Sequence, residues 1–401
     1  MNLRRRCFEP SFRRAAVGAA LMLATGSSLP ATAQVRDTAR ARPFVEGGVY
    51  DKPYLARLLG RTAVGGYAEA HARWQRADGA TEEAGFLLKR MNLFTATQVS
   101  DFVRIGTELE FEDGAREIKL EYAAIDIIIH PAFALRGGML LSPLGRFNLS
   151  HDSPLNEFTD RPLVSTELLG VALSEPGFGA LGELGTGGGG RVTYELYLVN
   201  GFHDGLITES PAGTRLAAGR ANLEDNNATP ALVGRVAWSP ALALELGVSG
   251  HHGAYNRYVV EGARIDERRD VTVLVLDVDA AIAGFRVTGE AATVRVDVPP
   301  ETELIYASRQ RGAYLEVDRD FGAGLVRTMP DSYLTAKARL DVVDFDTRSR
   351  GDAVRQLSLG INFRPTRDTA LKLDYVRGRT RDTLNLAGDH ALVLFSIATY
   401  F

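Results

Sequence analysis

The chain has 401 residues, one cysteine, 24% charged and 45% hydrophobic residues, which excludes both a disordered chain and a small disulfide-stapled domain. A formal net charge of -4 gives no basic footprint, so nucleic acid is not expected as a partner. Glycine, at 41 residues, exceeds its ordinary share of roughly 7% and favours turns and strands over helices.

Residues 1–33 have the layout of a secretory signal peptide. Arg4, Arg5, Arg6, Arg13 and Arg14 supply a positive start, Ala15 to Thr25 is almost wholly apolar, and Ala31-Thr32-Ala33 offers a small-x-small cleavage site before Gln34. The apolar run is about half of the ~20 residues a spanning helix needs. Cys7 precedes this run, where a lipoprotein cysteine would follow it, so the expected mature chain has no cysteine. Loss of the five arginines and Glu9 leaves 41 basic and 49 acidic residues, a formal charge of -8. Residues 34–61 form a short N-terminal segment, read as a periplasmic or plug-like piece, and residues 62–401 are the expected barrel.

Beyond Gln34 no stretch approaches 18 consecutive apolar residues, so crossing a membrane by helices is excluded. Period-two alternation recurs instead. Leu357, Leu359, Ile361 and Phe363 share one face while Ser358, Gly360, Asn362 and Arg364 share the other, and Leu371, Leu373 and Tyr375 oppose Lys372 and Asp374. The spacing predicts strands at 62–75, 85–98, 101–112, 116–129, 132–142, 163–175, 190–201, 231–239, 242–252, 269–281, 284–297, 309–318, 333–342, 354–364, 369–379 and 389–401. Many are longer than the ~5 to 6 residues of sandwich strands and match the ~9 to 11 that cross an outer membrane.

An even count, with short turns such as Ala283-Gly284 alternating with long polar loops such as 202–230, predicts an all-β transmembrane antiparallel barrel of about sixteen strands. Connections 176–189 and 319–332 break the rhythm, leaving fourteen or eighteen strands open. Asp113-Gly114 is a type I′ hairpin signal. The faces predict that Leu359→Arg is costly and Asn362→Arg nearly harmless to folding.

The final segment places Val393, Phe395, Ile397 and Phe401 on one face and stops on Tyr400-Phe401. It resembles the sorting signal of Gram-negative outer-membrane barrels, which implies the barrel assembly machinery and outer-membrane lipid as partners and the cell outer membrane as location. Arg136 to Gly145, with His151-Asp152-Ser153-Pro154 and Thr159-Asp160-Arg161-Pro162, resembles the fifth strand and following loop of the phosphate-selective porin O/P family. Tyr194 to Gly201 is similar to the same family where a strand closes on Asn-Gly. About sixty residues carry the resemblance. It implies a sixteen-stranded, usually homotrimeric channel whose third external loop, here 143–162, folds into the lumen.

The charges expected nearest a solute on that loop are Arg146, Asp152, Glu157, Asp160 and Arg161. Inward faces are expected to carry Arg104, Lys119, Arg235, Arg286, Lys337, Arg339, Arg364 and Lys372 against Glu108, Glu121, Glu245, Glu290 and further acids. The wall is mixed with acid in excess, and no phosphate-site residue of the family falls on a single position, so selectivity is expected to be weak and salt dependent.

Gly177-Phe178-Gly179-Ala180-Leu181-Gly182 fits a dinucleotide fingerprint, but Pro176 before it and glycines after it oppose the required helix, so it reads as a flexible connection. His251-His252 has no metal-ligand spacing and reads as polar rim. No catalytic residue, cofactor or metal site is expected. The function that emerges is a non-enzymatic, water-filled porin for passive diffusion of small hydrophilic solutes or ions, anions such as phosphate included. An uptake channel for apolar ligands and a barrel lipase are the alternatives.

Overall fold

The computed structural model describes Gly48, Val49, Asp51, Lys52 and residues 61–401. The expected signal peptide, with Cys7, and most of the 34–61 segment lie outside the described residues.

Alternating sequence becomes alternating exposure. Eighteen strands follow in order: β1 (Thr62–Ala77), β2 (Ala80–Gln98), β3 (Val103–Glu112), β4 (Glu117–His130), β5 (Phe133–Leu141), β6 (Ser174–Gly187), β7 (Gly190–Val199), β8 (Ala231–Ala241), β9 (Leu244–Ala254), β10 (Val259–Val260), β11 (Ala263–Arg264), β12 (Asp270–Ile282), β13 (Phe285–Val296), β14 (Arg309–Phe321), β15 (Tyr333–Asp344), β16 (Ala353–Thr366), β17 (Thr369–Arg381) and β18 (Ala387–Tyr400). The pair β10–β11 is a small hairpin in a loop, and the other sixteen close an antiparallel barrel in which β1 pairs with both β2 and β18. Closure removes the unpaired sheet edges that lipid would not tolerate. Among the described residues no helix is long and apolar enough to cross a membrane.

On most strands one side is apolar and exposed and the other polar and buried, while β12 and β13 turn Val271, Val273, Val275, Val294 and Val296 inward. On β16, Leu357, Leu359 and Ile361 point outward while Ser358, Asn362 and Arg364 are buried inside. Leu373 and Tyr375 of β17 and Val393, Phe395 and Ile397 of β18 continue the outer apolar surface, whereas Lys372, Asp374 and Ser396 face in. This inverts a soluble protein and suits a lipid exterior. Short turns on the rim where β1 begins and β18 ends follow the expected chemistry: Ala283 and Gly284 have φ of 51° and 81°. On the opposite rim Asp113 and Gly114, at 51° and 71°, take the left-handed φ that the signal calls for, but Ala115 follows at 66° and Glu112 pairs with Glu117, so the connection has the four residues 113–116 and is not a two-residue type I′ hairpin.

The sixth strand corrects the sequence reading. It runs over Ser174–Gly187, so the glycine-rich run 177–182 is strand rather than a flexible connection, and 163–173 is not strand at all. Two physical effects obscure the pattern. Gly179 and Gly182 face backbone so closely that an added Cβ would lie 2.0 Å from the Leu196 oxygen and 2.1 Å from that of Ala132, so the strand carries glycine where alternation would need side chains. Conversely, Val164, Leu168, Leu169 and Leu173 are apolar because they pack inside the lumen, with Val164–Leu169 as a short π-helix.

Candidate functional site

The connection from β5 to β6, residues 142–173, builds the site. Its base is tied by Asn148, whose amide donates to the carbonyls of Ser142 (2.7 Å) and Leu173 (2.9 Å) while its Oδ1 accepts from the Leu173 N–H (2.8 Å). From there the backbone crosses the barrel. Gly145 N–H donates to Ser249 Oγ on β9 at 2.8 Å and Phe147 N–H to Glu290 Oε1 on β13 at 2.6 Å. Gly145 sits at φ +79°, the backbone hand that favours glycine, and a Cβ there would stand 2.8 Å from Glu290 Oε1 and push that carboxylate aside. Thr159 N–H then reaches Asp374 Oδ2 on β17 at 2.8 Å, and Leu163 N–H reaches Asp341 Oδ1 on β15 at 3.0 Å. In the closed order β15 stands eight strands from β5, so the segment spans the full width of the lumen.

Wall cations hold this crossing loop by its carbonyl groups. Lys372 donates to Ser153 O (2.7 Å) and Phe158 O (3.3 Å), Arg364 to Pro154 O (2.9 Å), Arg339 to Asp160 O (2.9 Å) and Arg161 O (3.3 Å), and Lys337 to Glu157 O. Lys337 and Arg339 both lie over the Phe158 ring, 4.5 and 4.7 Å from its centroid. These four residues, expected as pore lining, do face inward, but their charges are spent on the loop and on acids such as Asp374, 2.6 Å from Lys337. Asn362 also grips the loop. Its amide donates to Glu157 Oε2 at 2.6 Å and it is fully buried, so the expectation that Asn362→Arg is harmless is overturned by packing.

The other expected wall residues also face inward, the cations among them in ion pairs. Arg104 meets Asp126 (3.0 Å); Lys119 meets Glu117 (3.0 Å); Arg235 bridges Asp277 (2.5 Å) and Glu245 (2.9 Å); Arg286 meets Asp279 (3.4 Å). Glu108 accepts from Asn92 at 2.8 Å, Glu121 contacts His151 at 2.6 Å, and Glu290 takes the loop N–H already described.

Of the five loop charges, three are moored. Arg146 pairs with Asp279 at 2.8 Å, Asp152 with Lys52 and the Tyr400 hydroxyl (2.7 Å), and Glu157 with Arg364 at 2.9 Å. Burial opposes the charge on Glu157, but Arg364 and Lys337 outweigh it and hold the carboxyl below the usual carboxylate range. Asp160 pairs with Arg73 at 3.3 Å and stays partly exposed. The guanidinium Nε and Nη2 of Arg161 are buried without a hydrogen-bond partner among the described residues.

Asp160 and Arg161 occupy a boundary. A cavity of about 720 Å³ opens on one side of them, lined by Arg73, Lys89 and Arg90 of β1–β2, His390 of β18 and Glu167 of the loop. A smaller one of about 80 Å³ lies on the other side, against Arg286, Glu316, Asp318 and Arg339. The sequence signals Arg161 through its motif but not Arg73, which belongs to no motif.

Beside β12 and β13 the interior is filled by apolar side chains. Val271, Val273 and Val275 of β12 and Val294 and Val296 of β13 point inward, where they are covered by Leu168, Leu169 and Leu173 of the crossing loop and by Phe202, Leu206 and Leu216 of the β7–β8 loop. His251, expected on a polar rim, is instead buried between Phe202 (4.8 Å between rings) and Glu175 (3.2 Å). His252 is exposed and contacts Thr272 Oγ1 at 2.9 Å. From the N-terminal segment, Val49 packs on the cluster around Tyr122 and Lys52 lies over the inward-facing Phe94 at 4.8 Å.

No family model matches the chain. An uncharacterized protein of Aquifex aeolicus (strain VF5) is 24% identical over 349 residues, covering 80% of this chain and 76% of that one. Among solved structures, the outer membrane channel DcaP of Acinetobacter baumannii aligns with a TM-score of 0.55 at 13% identity, covering 85% of this chain and 97% of that one. The anion-selective porin from Comamonas acidovorans aligns at 0.54 and 13%, covering 85% and 99%, and Salmonella typhi OmpF in complex with daunomycin at 0.53 and 10%, covering 85% and 98%. At these identities the likeness establishes the fold, a closed sixteen-stranded barrel of the porin kind.

Proposed function

We propose that the chain is an outer-membrane porin: a water-filled channel, narrowed by the 142–173 loop, through which small hydrophilic solutes and ions diffuse passively. The observation that carries this reading is the inverted barrel, apolar outside and charged inside, with a polar vestibule of about 720 Å³ leading to Asp160 and Arg161. The vestibule wall carries Arg73, Lys89, Arg90 and Arg161 against Asp78, Glu82, Asp160, Glu167 and Asp389, so sign discrimination is weak and falls with salt.

Anions, phosphate among them, are within the proposed solute range, and the structural neighbour from Comamonas acidovorans is an anion-selective porin. The inward valines of β12 and β13 are covered by loops, so they supply no oily path for apolar ligands. The reading includes export through the signal peptide 1–33, a homotrimeric assembly and no enzymatic activity. Planar-bilayer recording tests it: the purified protein should give ohmic current steps without added ligand, with a small reversal potential under a salt gradient. Silence without ligand would overturn the reading.

A further inference from the structure

Away from the vestibule, four buried side chains from four segments converge beneath the crossing loop: Asn92 on β2, Glu108 on β3, Glu121 on β4 and His151 on the loop. A β-bulge brings the two carboxylates together. Glu108 pairs across the sheet with Tyr122 and Leu109 with Leu120, which leaves Glu121 as the extra residue and turns its side chain inward beside Glu108. Donor atoms of Glu108, Glu121 and His151 all lie within 4.8 Å of one another, and all three residues are at most 3% exposed.

The hydrogen bonding fixes the imidazole. His151 Nδ1 lies 2.9 Å from the carbonyl oxygen of Asn148, which only accepts, so Nδ1 carries a proton and the ring turns Nε2 toward Glu121 Oε1, 2.6 Å away, both of these atoms being buried without a hydrogen-bond partner among the described residues. At that distance the two atoms share either a proton or a metal ion. A second proton on His151 would serve that contact, and Lys52 near Glu108 and Arg90 and Arg161 near Glu121 add positive field without reaching either carboxylate in an ion pair of the described residues. Asn92 adds an independent sign: it is fully buried, its amide nitrogen touches Glu108 (2.8 Å) and Glu121 (3.4 Å), and its Oδ1 has no hydrogen-bond partner among the described residues. Turning the amide over would bring that oxygen to the same point as a further donor.

We propose that Glu108, Glu121 and His151, completed by Asn92, bind a divalent transition-metal ion that fastens the crossing loop to the β2–β4 wall. One nitrogen and three oxygens suit zinc and related ions, whose bonds of about 2.0 to 2.2 Å require only small rotations of the two glutamates. A 2+ ion balances both buried carboxylates, and the Asn148 carbonyl plays the orienting part that a backbone acceptor plays behind most metal-bound histidines. The motif is invisible in sequence because its donors lie at 92, 108, 121 and 151, with no helical or CxxC-like spacing.

The test uses the refolded mature protein in detergent, stripped with EDTA and titrated with Zn²⁺ by calorimetry. One saturable equivalent per chain is expected, weakened more than about tenfold in His151→Gln and Glu121→Gln and unchanged in His390→Gln. No saturable binding, or wild-type binding by His151→Gln, would overturn the proposal. Should a variant fail to fold, X-ray absorption on the Co²⁺-loaded wild type decides: a first shell with one imidazole supports the site, and an all-oxygen shell or no bound Co²⁺ refutes it.

Discussion

Replacing Arg364 with alanine removes one mooring of the crossing loop while leaving the sheet's backbone ladder intact. Arg364 is buried and gives two bonds of 2.9 Å, to Pro154 O and Glu157 Oε1. Breaking a buried charge pair by deleting one partner costs roughly 3 to 5 kcal/mol. Glu157 keeps the amide of Asn362 at 2.6 Å and the field of Lys337, so the loss should fall at the low end, about 3 kcal/mol. That energy bears on the seated loop rather than on the barrel, and at about 1.4 kcal/mol per tenfold it shifts the seated-to-released ratio by on the order of a hundredfold. Single-channel recording should therefore show larger or fluctuating conductance in Arg364→Ala, with the heat-modifiable mobility of a folded barrel retained. A folded variant with wild-type conductance and an equally protease-resistant loop would refute the mooring.

Two further outcomes follow from the same geometry. Leu359→Arg, midway along β16 on the outer face, should destabilise the barrel in lipid by roughly 2 to 4 kcal/mol in denaturant titration; Asn362→Arg should instead displace the loop and change conductance, and equal effects of the two on both readouts would contradict the assignment of faces. Because the Glu157 carboxyl is held below its ordinary range, its ion pair contributes stability that is complete above the unfolded value and is lost as pH falls through the lowered folded one. Acid titration of loop protection from protease should show that loss in the wild type, and Glu157→Gln should remove this acid limb.

Much of the architecture is legible in the residues, and the failures fall where a side chain's surroundings depart from the two-solvent rule. Alternation locates fifteen of the sixteen barrel strands because the faces of each meet different solvents, as with Leu357 to Arg364. It fails at 163–187, where the apolar run Val164 to Leu173 packs on valines inside the lumen and the real strand is glycine-rich. The wall charges fall on the side that alternation assigns them, but periodicity carries no record of partners. It cannot tell that Lys337, Arg339, Arg364 and Lys372 grip the loop backbone, nor that β12 and β13 turn valines inward under a cover of loops. His151 stands within a sequence motif, yet its meeting with Glu108 and Glu121 depends on a bulge and a lumen crossing that only three dimensions express.

The measurement closest to the central claim is current block at a single introduced thiol. The expected mature chain has no cysteine, so Glu167→Cys, exposed in the vestibule, and Leu274→Cys, exposed on the outer face, each offer one reactive site. A charged, membrane-impermeant thiol reagent should lower the current in discrete steps through Glu167→Cys and leave Leu274→Cys in lipid untouched. Current that is indifferent to modification of Glu167→Cys, or rapid aqueous labelling of Leu274→Cys in the bilayer, would contradict a water-filled, charge-lined lumen inside a lipid-facing barrel.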